Sequence, residues 1–310
     1  MSKEHPINMA ASVRQRLTNL AHQKHEDFQL VLTRYALERL LYRLSRSEHR
    51  DEFVLKGALL FQLWADQPHR PTRDLDLLGR GDDSITRFVK IFQKICNLPV
   101  EDDGLVFLAP SVQGERIKED QEYEGLRLRM SCRLENARIP VQIDIGFGDV
   151  VVPAATDVTY PVLLDFPAPV LPAYSRESVV AEKFHAMVML GIANSRMKDF
   201  YDLWVLARQF EFQGPLLAEA IRATFQRRRT AIPSGLPLAL SPEFCQDPRK
   251  RVQWRAFLGK GKLDAGNADL SEIVEALRVF LLPVITAIAG KEPLSMVWPR
   301  GGPWREIAEK

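Results

Sequence analysis

Thr72-Arg73-Asp74-Leu75-Asp76-Leu77-Leu78 is the stretch on which the fold of this chain turns. Charge and leucine alternate with the period of a half-buried strand, so Leu75 and Leu77 enter a core while both aspartates leave by the opposite face. Two carboxylates about 4 to 6 Å apart oppose each other's ionisation, and a divalent cation with hard oxygen ligands is the usual remedy. The plain alternative is a solvated sheet face, since Asp-x-Asp is short and common. A third acid bears on the choice: Asp144 stands alone between isoleucines in Val141-Gln142-Ile143-Asp144-Ile145, and a charge on an interior strand needs a partner. With that strand beside the first, three carboxylates would converge and hold one or two Mg²⁺ or Mn²⁺ ions against a triphosphate. Otherwise Asp144 faces solvent beside Arg138 or Arg129.

Upstream, Phe53-Val54-Leu55 reads as a short strand running into Lys56-Gly57-Ala58 and an apolar helix through Ala65, ended by Pro68 and Pro71. A glycine at a strand-to-helix junction lets backbone N–H groups approach phosphate oxygens, although an ordinary tight turn has the same look. Before it, apolar residues from Ile7 to Arg46 recur at helical spacing, predicting two amphipathic helices broken near His22 to His25. After it, Ser84 caps a helix to about Asn97. Leu126 to Leu134 and Ile139 to Phe147 then form an antiparallel hairpin across Glu135-Asn136-Ala137-Arg138. Prolines crowd residues 153 to 172 and forbid a helix there, so a boundary or crossing arm is expected. Beyond it, helices are predicted near 176–190 (capped by Ser175), 197–210, 215–228 and 270–288. The expected class is α+β. N-terminal helices (1–50) pack on a small mixed-sheet core (51–172), and a helical part with a basic region follows (173–310).

At 310 residues, with 46% hydrophobic and 26% charged residues, the chain has the composition of a globular protein rather than a disordered one. Three scattered cysteines, Cys96, Cys132 and Cys245, offer no disulfide framework. Met1 to Ile7 has no apolar core of a signal peptide, and the apolar run Val279 to Ala289 is interrupted by Pro283 and falls short of the roughly 20 residues a span requires. A cytoplasmic protein without membrane anchoring is the expectation. HExxH, GxSxG and Walker A motifs are absent, Gly146-Phe147-Gly148 lacks the third glycine of a dinucleotide loop, and the six histidines show no ligand spacing beyond His22/His25.

The net charge of +2 is uninformative, but residues 222 to 262 hold ten Lys or Arg against two acids, with Phe225, Trp254 and Phe257 interleaved. Arg227, Arg228, Arg229, Arg249, Lys250, Arg251 and Arg255 are thus candidates for a phosphate backbone with stacked bases. A solvated basic surface or a dock for an acidic partner fits the same residues.

Leu55-Lys56-Gly57-Ala58, Arg70-Pro71-Thr72-Arg73-Asp74-Leu75-Asp76-Leu77 and Ile143-Asp144-Ile145 together resemble a minimal polymerase-β-type nucleotidyltransferase. Val180-Ala181-Glu182-Lys183-Phe184-His185-Ala186, followed by Arg196-Met197-Lys198-Asp199-Phe200-Tyr201-Asp202-Leu203, is similar to the AbiEii/AbiGii nucleotidyltransferase toxins of abortive-infection and toxin–antitoxin systems. The resemblance spans roughly residues 10 to 290. It implies that Asp74, Asp76 and Asp144 bind metal, that Asp144 also acts as general base, and that Lys183 contacts the triphosphate together with the Lys56-Gly57-Ala58 turn. Asp199 and Asp202, three apart on one helical face, would fix Lys183 or reach a nucleotide; a purely structural ion-pair network fits equally. Where many nucleotidyltransferases carry Gly-Ser or Gly-Gly, this chain has Gly57-Ala58, which removes a hydroxyl. The activity implied is transfer of a nucleoside monophosphate from an NTP to an acceptor, the 3′ end of a tRNA, under restraint by a cognate antitoxin. Two rivals stay open: an Asp-x-Asp phosphatase of the haloacid-dehalogenase kind, and a catalytically idle RNA- or protein-binding module.

Overall fold

The computed structural model describes residues 8–64, 70–118, 124–263, 265–266 and 268–307. Met1 to Ile7, Ala65 and Pro68 lie outside them. The chain forms two compact units, one of residues 1–148 with 156–173, the other of residues 149–155 with 174–310.

The first unit opens with α1 (Met9–Lys24) and α2 (Phe28–Arg46). His25 turns left-handed at φ 52° to end α1, and Asp27 caps α2 by accepting from the Leu30 N–H, so the break falls where the histidines interrupt the apolar period. β1 (Phe53–Lys56) follows. The helix expected after Gly57 is a 3₁₀ turn, Gly57–Leu60, leading into the four-residue α3 (Phe61–Trp64). Next come β2 (Asp74–Gly79), α4 (Ile85–Cys96, capped by Ser84), β3 (Leu105–Phe107), β4 (Gln113–Lys118), β5 (Glu124–Leu134), β6 (Ala137–Phe147), β7 (Thr156–Thr159) and β8 (Val170–Ala173).

Among the described residues these strands make one mixed sheet in the order β3-β5-β6-β2-β1-β8-β7. Because β5 is eleven residues long, its outer edge serves two partners: β4 pairs with residues 124–129 and β3 with residues 132–134. β6 lies parallel to β2, which is antiparallel to β1. One sheet face is dry. Leu55, Leu75, Leu77, Leu126, Leu128, Ile143 and Ile145 are fully buried there, and Phe88 and Phe92 of α4 meet Phe53 edge-on at 5.8 and 5.6 Å. β3, β4, β7 and β8 escaped the sequence reading because they are short or polar.

A buried ionic knot ties α2 to the rest of this unit. Arg43 grips Asp103 through both carboxylate oxygens at 2.6 and 3.0 Å, while Arg39 donates to Asp103 and to the Pro167 carbonyl. Glu38, 1% exposed, accepts from the Leu163 N–H at 2.7 Å. Burial pushes the Glu38 carboxyl up to about 7, against the lowering pull of that N–H and of Arg39.

In the second unit α5 (Arg176–Leu190, capped by Ser175), α6 (Met197–Gln209), α7 (Gly214–Arg227), α8 (Pro242–Gln246), α9 (Pro248–Gly261) and α10 (Leu270–Gly290) are accompanied by a small sheet of β9 (Phe212–Gln213), β10 (Met296–Trp298) and β11 (Arg305–Glu306). α10 corrects one expectation: it runs 21 residues through Pro283 and is long and apolar enough to cross a bilayer. Its apolar character has another use here, since Leu270, Ile273, Val274, Leu277, Phe280, Leu281, Val284, Ile285 and Ile288 are buried in the core of this unit. All three cysteines are buried free thiols.

Because the Glu38 carboxyl is raised in the fold, its protonated form is the one the fold favours, and its contribution to stability is lost as pH rises from about 4.5 through about 7. Melting curves of the parent and Glu38→Gln between pH 5 and pH 8 should therefore diverge, with the parent losing ground to the variant as pH rises. Parallel curves would refute the assignment.

Candidate active site

The wet face of the first unit's sheet carries the acids. Asp76 lies opposite Asp144 in the parallel β2–β6 ladder, Lys56 opposite Asp76 in β1–β2, and Arg127 opposite Asp144 in β5–β6. Residues in register share a face, so Lys56, Asp76, Asp144 and Arg127 form a row across four adjacent strands with charges plus, minus, minus, plus. Asp74 sits two residues from Asp76 on the same face. Neighbouring strands are about 4.8 Å apart, and two unit charges at that distance repel by about 3 to 4 kcal/mol at an effective dielectric of ~20. Cations stand at both ends of that row, Lys56 on β1 and Arg127 on β5.

Asp144 is held tightly. Arg127 donates through Nε and Nη2 to its two carboxylate oxygens, both at 2.7 Å, in the bidentate geometry that suits a guanidinium. Its side chain is 13% exposed and that of Arg127 29%. The hydrogen bond to Asp144 raises the Arg127 pKa, with the fields of Asp144, Asp74 and Glu115 adding to it against desolvation.

Gly57 has a reason of its own. It adopts φ +76°, and a Cβ there would land on the Asp76 carboxylate. The glycine therefore opens the space into which Asp76 packs. Lys56, at the end of β1, is 6% exposed and Ala58 is 8% exposed.

In the second unit, Lys183 of α5 donates to Asp199 and its ammonium lies 2.8 Å from both Asp199 and Asp202 of α6. Both aspartates are fully buried, while the Lys183 side chain keeps 13% of its exposure. Arg196 reaches the second oxygen of Asp199 at 2.8 Å. Burial works against ionisation of Asp199, but Lys183 and Arg196 overcome it and hold its carboxyl below the usual range. Asp199 and Asp202 thus have no exposed surface, and both meet the Lys183 ammonium. Glu182 accepts from the Tyr174 hydroxyl at 2.9 Å.

The basic stretch divides. Arg227, Arg229, Arg249, Arg251 and Arg255 are exposed. Arg228 and Lys250 are buried, which leaves neither side chain open to a nucleic acid in this conformation. Arg228 is buried between Asp149, at 2.9 Å, and Nδ1 of His185, to which it donates at 3.2 Å. Burial and that guanidinium lower the His185 pKa to about 4, so the ring is neutral at pH 7 and its Nε2 can donate to Thr230. Lys250 is buried and donates to the Asn194 carbonyl at 2.8 Å, over the Phe244 ring.

The sequence reading missed Arg127, though a signal was present. A four-residue connection between the hairpin strands would put Arg129 opposite Asp144. The observed turn is only Glu135-Asn136, with Glu135 at φ 53°, and Leu134 pairs with Ala137. Seven residues back along β5 and seven forward along β6 from that pair, Arg127 meets Asp144. Arg129 instead pairs with Glu115 at 2.6 Å.

Oxygen-rich acids on one sheet face suit a hard divalent cation, and Asp74 and Asp76 fit as donors. Among the described residues, however, no three His, Cys, Asp or Glu side chains are gathered as a group able to hold a metal ion. The expected trio is thus two aspartates beside a third whose oxygens are taken by Arg127.

Asp74 and Asp76 thus share one face of β2, and Asp144 lies opposite Asp76 on the adjacent parallel strand β6. The family described as "Nucleotidyl transferase AbiEii toxin, Type IV TA system" matches residues 39–276, and the chain belongs to it. Among solved structures, JHP933 from Helicobacter pylori is similar at 15% identity and TM-score 0.44, covering 82% of this chain and 89% of that one. A candidate nucleotidyltransferase from H. pylori is similar at 16% identity and TM-score 0.41, covering 82% and 92%. No match was found among curated proteins.

Two outcomes test this geometry. Gly57→Ala should destabilise the protein by about 1 to 3 kcal/mol in urea unfolding, because a side chain at positive φ is strained and displaces the Asp76 carboxylate. Lys183→Ala should cost roughly 3 to 5 kcal/mol by removing the ammonium that two buried carboxylates share, and adding Asp199→Asn should recover part of that loss. Additive losses in the double variant would show that the lysine and aspartate are not coupled.

Proposed function

We propose that this member of the nucleotidyltransferase toxin family is metal-dependent and moves a nucleoside monophosphate from an NTP to the 3′ end of an RNA, a tRNA in particular, releasing pyrophosphate. Its activity is restrained by a cognate antitoxin. The observation that carries the enzymatic part is the register that sets Asp144 opposite Asp76, two residues from Asp74, on the wet face of the sheet.

Asp74 and Asp76 would hold Mg²⁺ or Mn²⁺, with Asp144 the third candidate donor. When bound, such an ion would supply neutralisation of charge developing on the transferred phosphoryl group and its leaving pyrophosphate. Asp144, relieved of Arg127, accepts the proton of the attacking hydroxyl as general base. Lys183 offers a compact cation for triphosphate oxygens, and Asp199 and Asp202 hold that ammonium in place. Exposed Arg227, Arg229, Arg249, Arg251 and Arg255 supply phosphate-backbone contacts for the acceptor. The field of a basic patch rather than stacking supports this part, since Trp254 is only 2% exposed and offers no face to a base.

The experiment is incubation of the purified protein with each labelled NTP, Mg²⁺ and total RNA. Label should enter RNA with the parent, and Asp74→Ala should reduce incorporation by at least about a thousandfold while leaving the melting curve cooperative. Equal labelling by parent and variant would refute the reading. Phosphate release from a simple phosphoester without NTP would favour the phosphatase rival instead.

A further inference from the structure

Resting on the metal-dependent reading above, the structure points to a role for Arg127 that the family match does not assign. We propose that Arg127 is a built-in placeholder cation, occupying the oxygens of Asp144 until a divalent ion arrives and so setting the threshold for metal binding.

Four observations carry it. Both Asp144 oxygens are engaged by one guanidinium at 2.7 Å, so an ion approaching Asp144 meets a cation already bound to each of its oxygens. Arg127 is directly opposite Asp144 across the β5–β6 ladder, which makes the contact a consequence of register rather than of a chance surface rotamer. Asp76 is opposite Asp144 on the other side, so a cation drawn to Asp76 and Asp74 competes with Arg127 for the same negative field. Finally, a released Arg127 has somewhere to go: Glu115 lies directly opposite it on β4, and that carboxylate already carries one arginine, Arg129. A divalent ion replaces a monovalent guanidinium on Asp144, and the guanidinium turns to an anion on its far side.

This differs from a plain cross-strand ion pair in a way that can be measured. A structural pair, once broken, leaves metal affinity unchanged or weakened. A placeholder, once removed, strengthens it, because a competing positive charge a few ångströms from the ion is gone.

Mn²⁺ binding to the full-length protein, followed by electron paramagnetic resonance without nucleotide, separates the two. Arg127→Met should bind Mn²⁺ at least about tenfold more tightly than the parent, and Arg127→Lys, which keeps the charge but loses the fork, should show a smaller gain. Adding Asp144→Asn to Arg127→Met should abolish the gain. Circular dichroism melting checks that each variant folds; should the methionine variant fail to fold, the lysine variant decides. Affinity equal to or weaker than the parent in the folded variants, or a gain that survives Asp144→Asn, would overturn the inference while leaving the proposed activity standing. No Mn²⁺ binding by parent or variants, with or without ATP, would overturn the metal reading and this inference together.

Discussion

Two like charges on adjacent strands, fixed there by backbone hydrogen bonding, are the constraint around which the first unit is arranged. Asp76 and Asp144 cannot move apart without breaking the β2–β6 ladder. The surroundings answer with cations at both ends of the row, Lys56 on β1 and Arg127 on β5, and with a glycine at position 57 that opens room for the Asp76 carboxylate. On the other face the same strands present buried apolar side chains, and that dry packing keeps the register from slipping. A one-residue slip would turn every one of these acids into the core.

The second unit solves the opposite problem. There, one lysine is shared by two fully buried aspartates, with Arg196 adding a second cation. Removing two carboxylates from water is expensive, and the contacts to Lys183 offset part of that cost. The outcome is an ammonium whose position is dictated by α6 while part of its surface stays exposed. An arrangement of this kind is hard to justify as stabilisation alone, since apolar residues of similar volume would serve α5 and α6 as well.

The basic segment shows how a charge count misleads when burial is unknown. Arg228 and Lys250 are as basic in sequence as Arg227 and Arg249, yet one braces the neutral His185 ring and Asp149, and the other binds the Asn194 carbonyl. Helical spacing sets this. In α9 the faces of Lys250 and Trp254 point inward together, leaving Arg251 and Arg255 outside.

Much of the fold was legible because its signals are local. The alternation in 73–78 and 139–147, the caps at Ser84 and Ser175 and the break at His25 each depend on a few neighbouring residues, and all of them stand in the structure. Sequence also determined that Asp74 and Asp76 share a face, since strand geometry allows no other arrangement. Tertiary structure alone decided which strands lie side by side, that a two-residue turn makes Arg127 and not Arg129 the partner of Asp144, and which arginines meet water. The physical reason is that periodicity fixes the direction of a side chain, whereas its partner is chosen by register and packing between segments far apart in the chain.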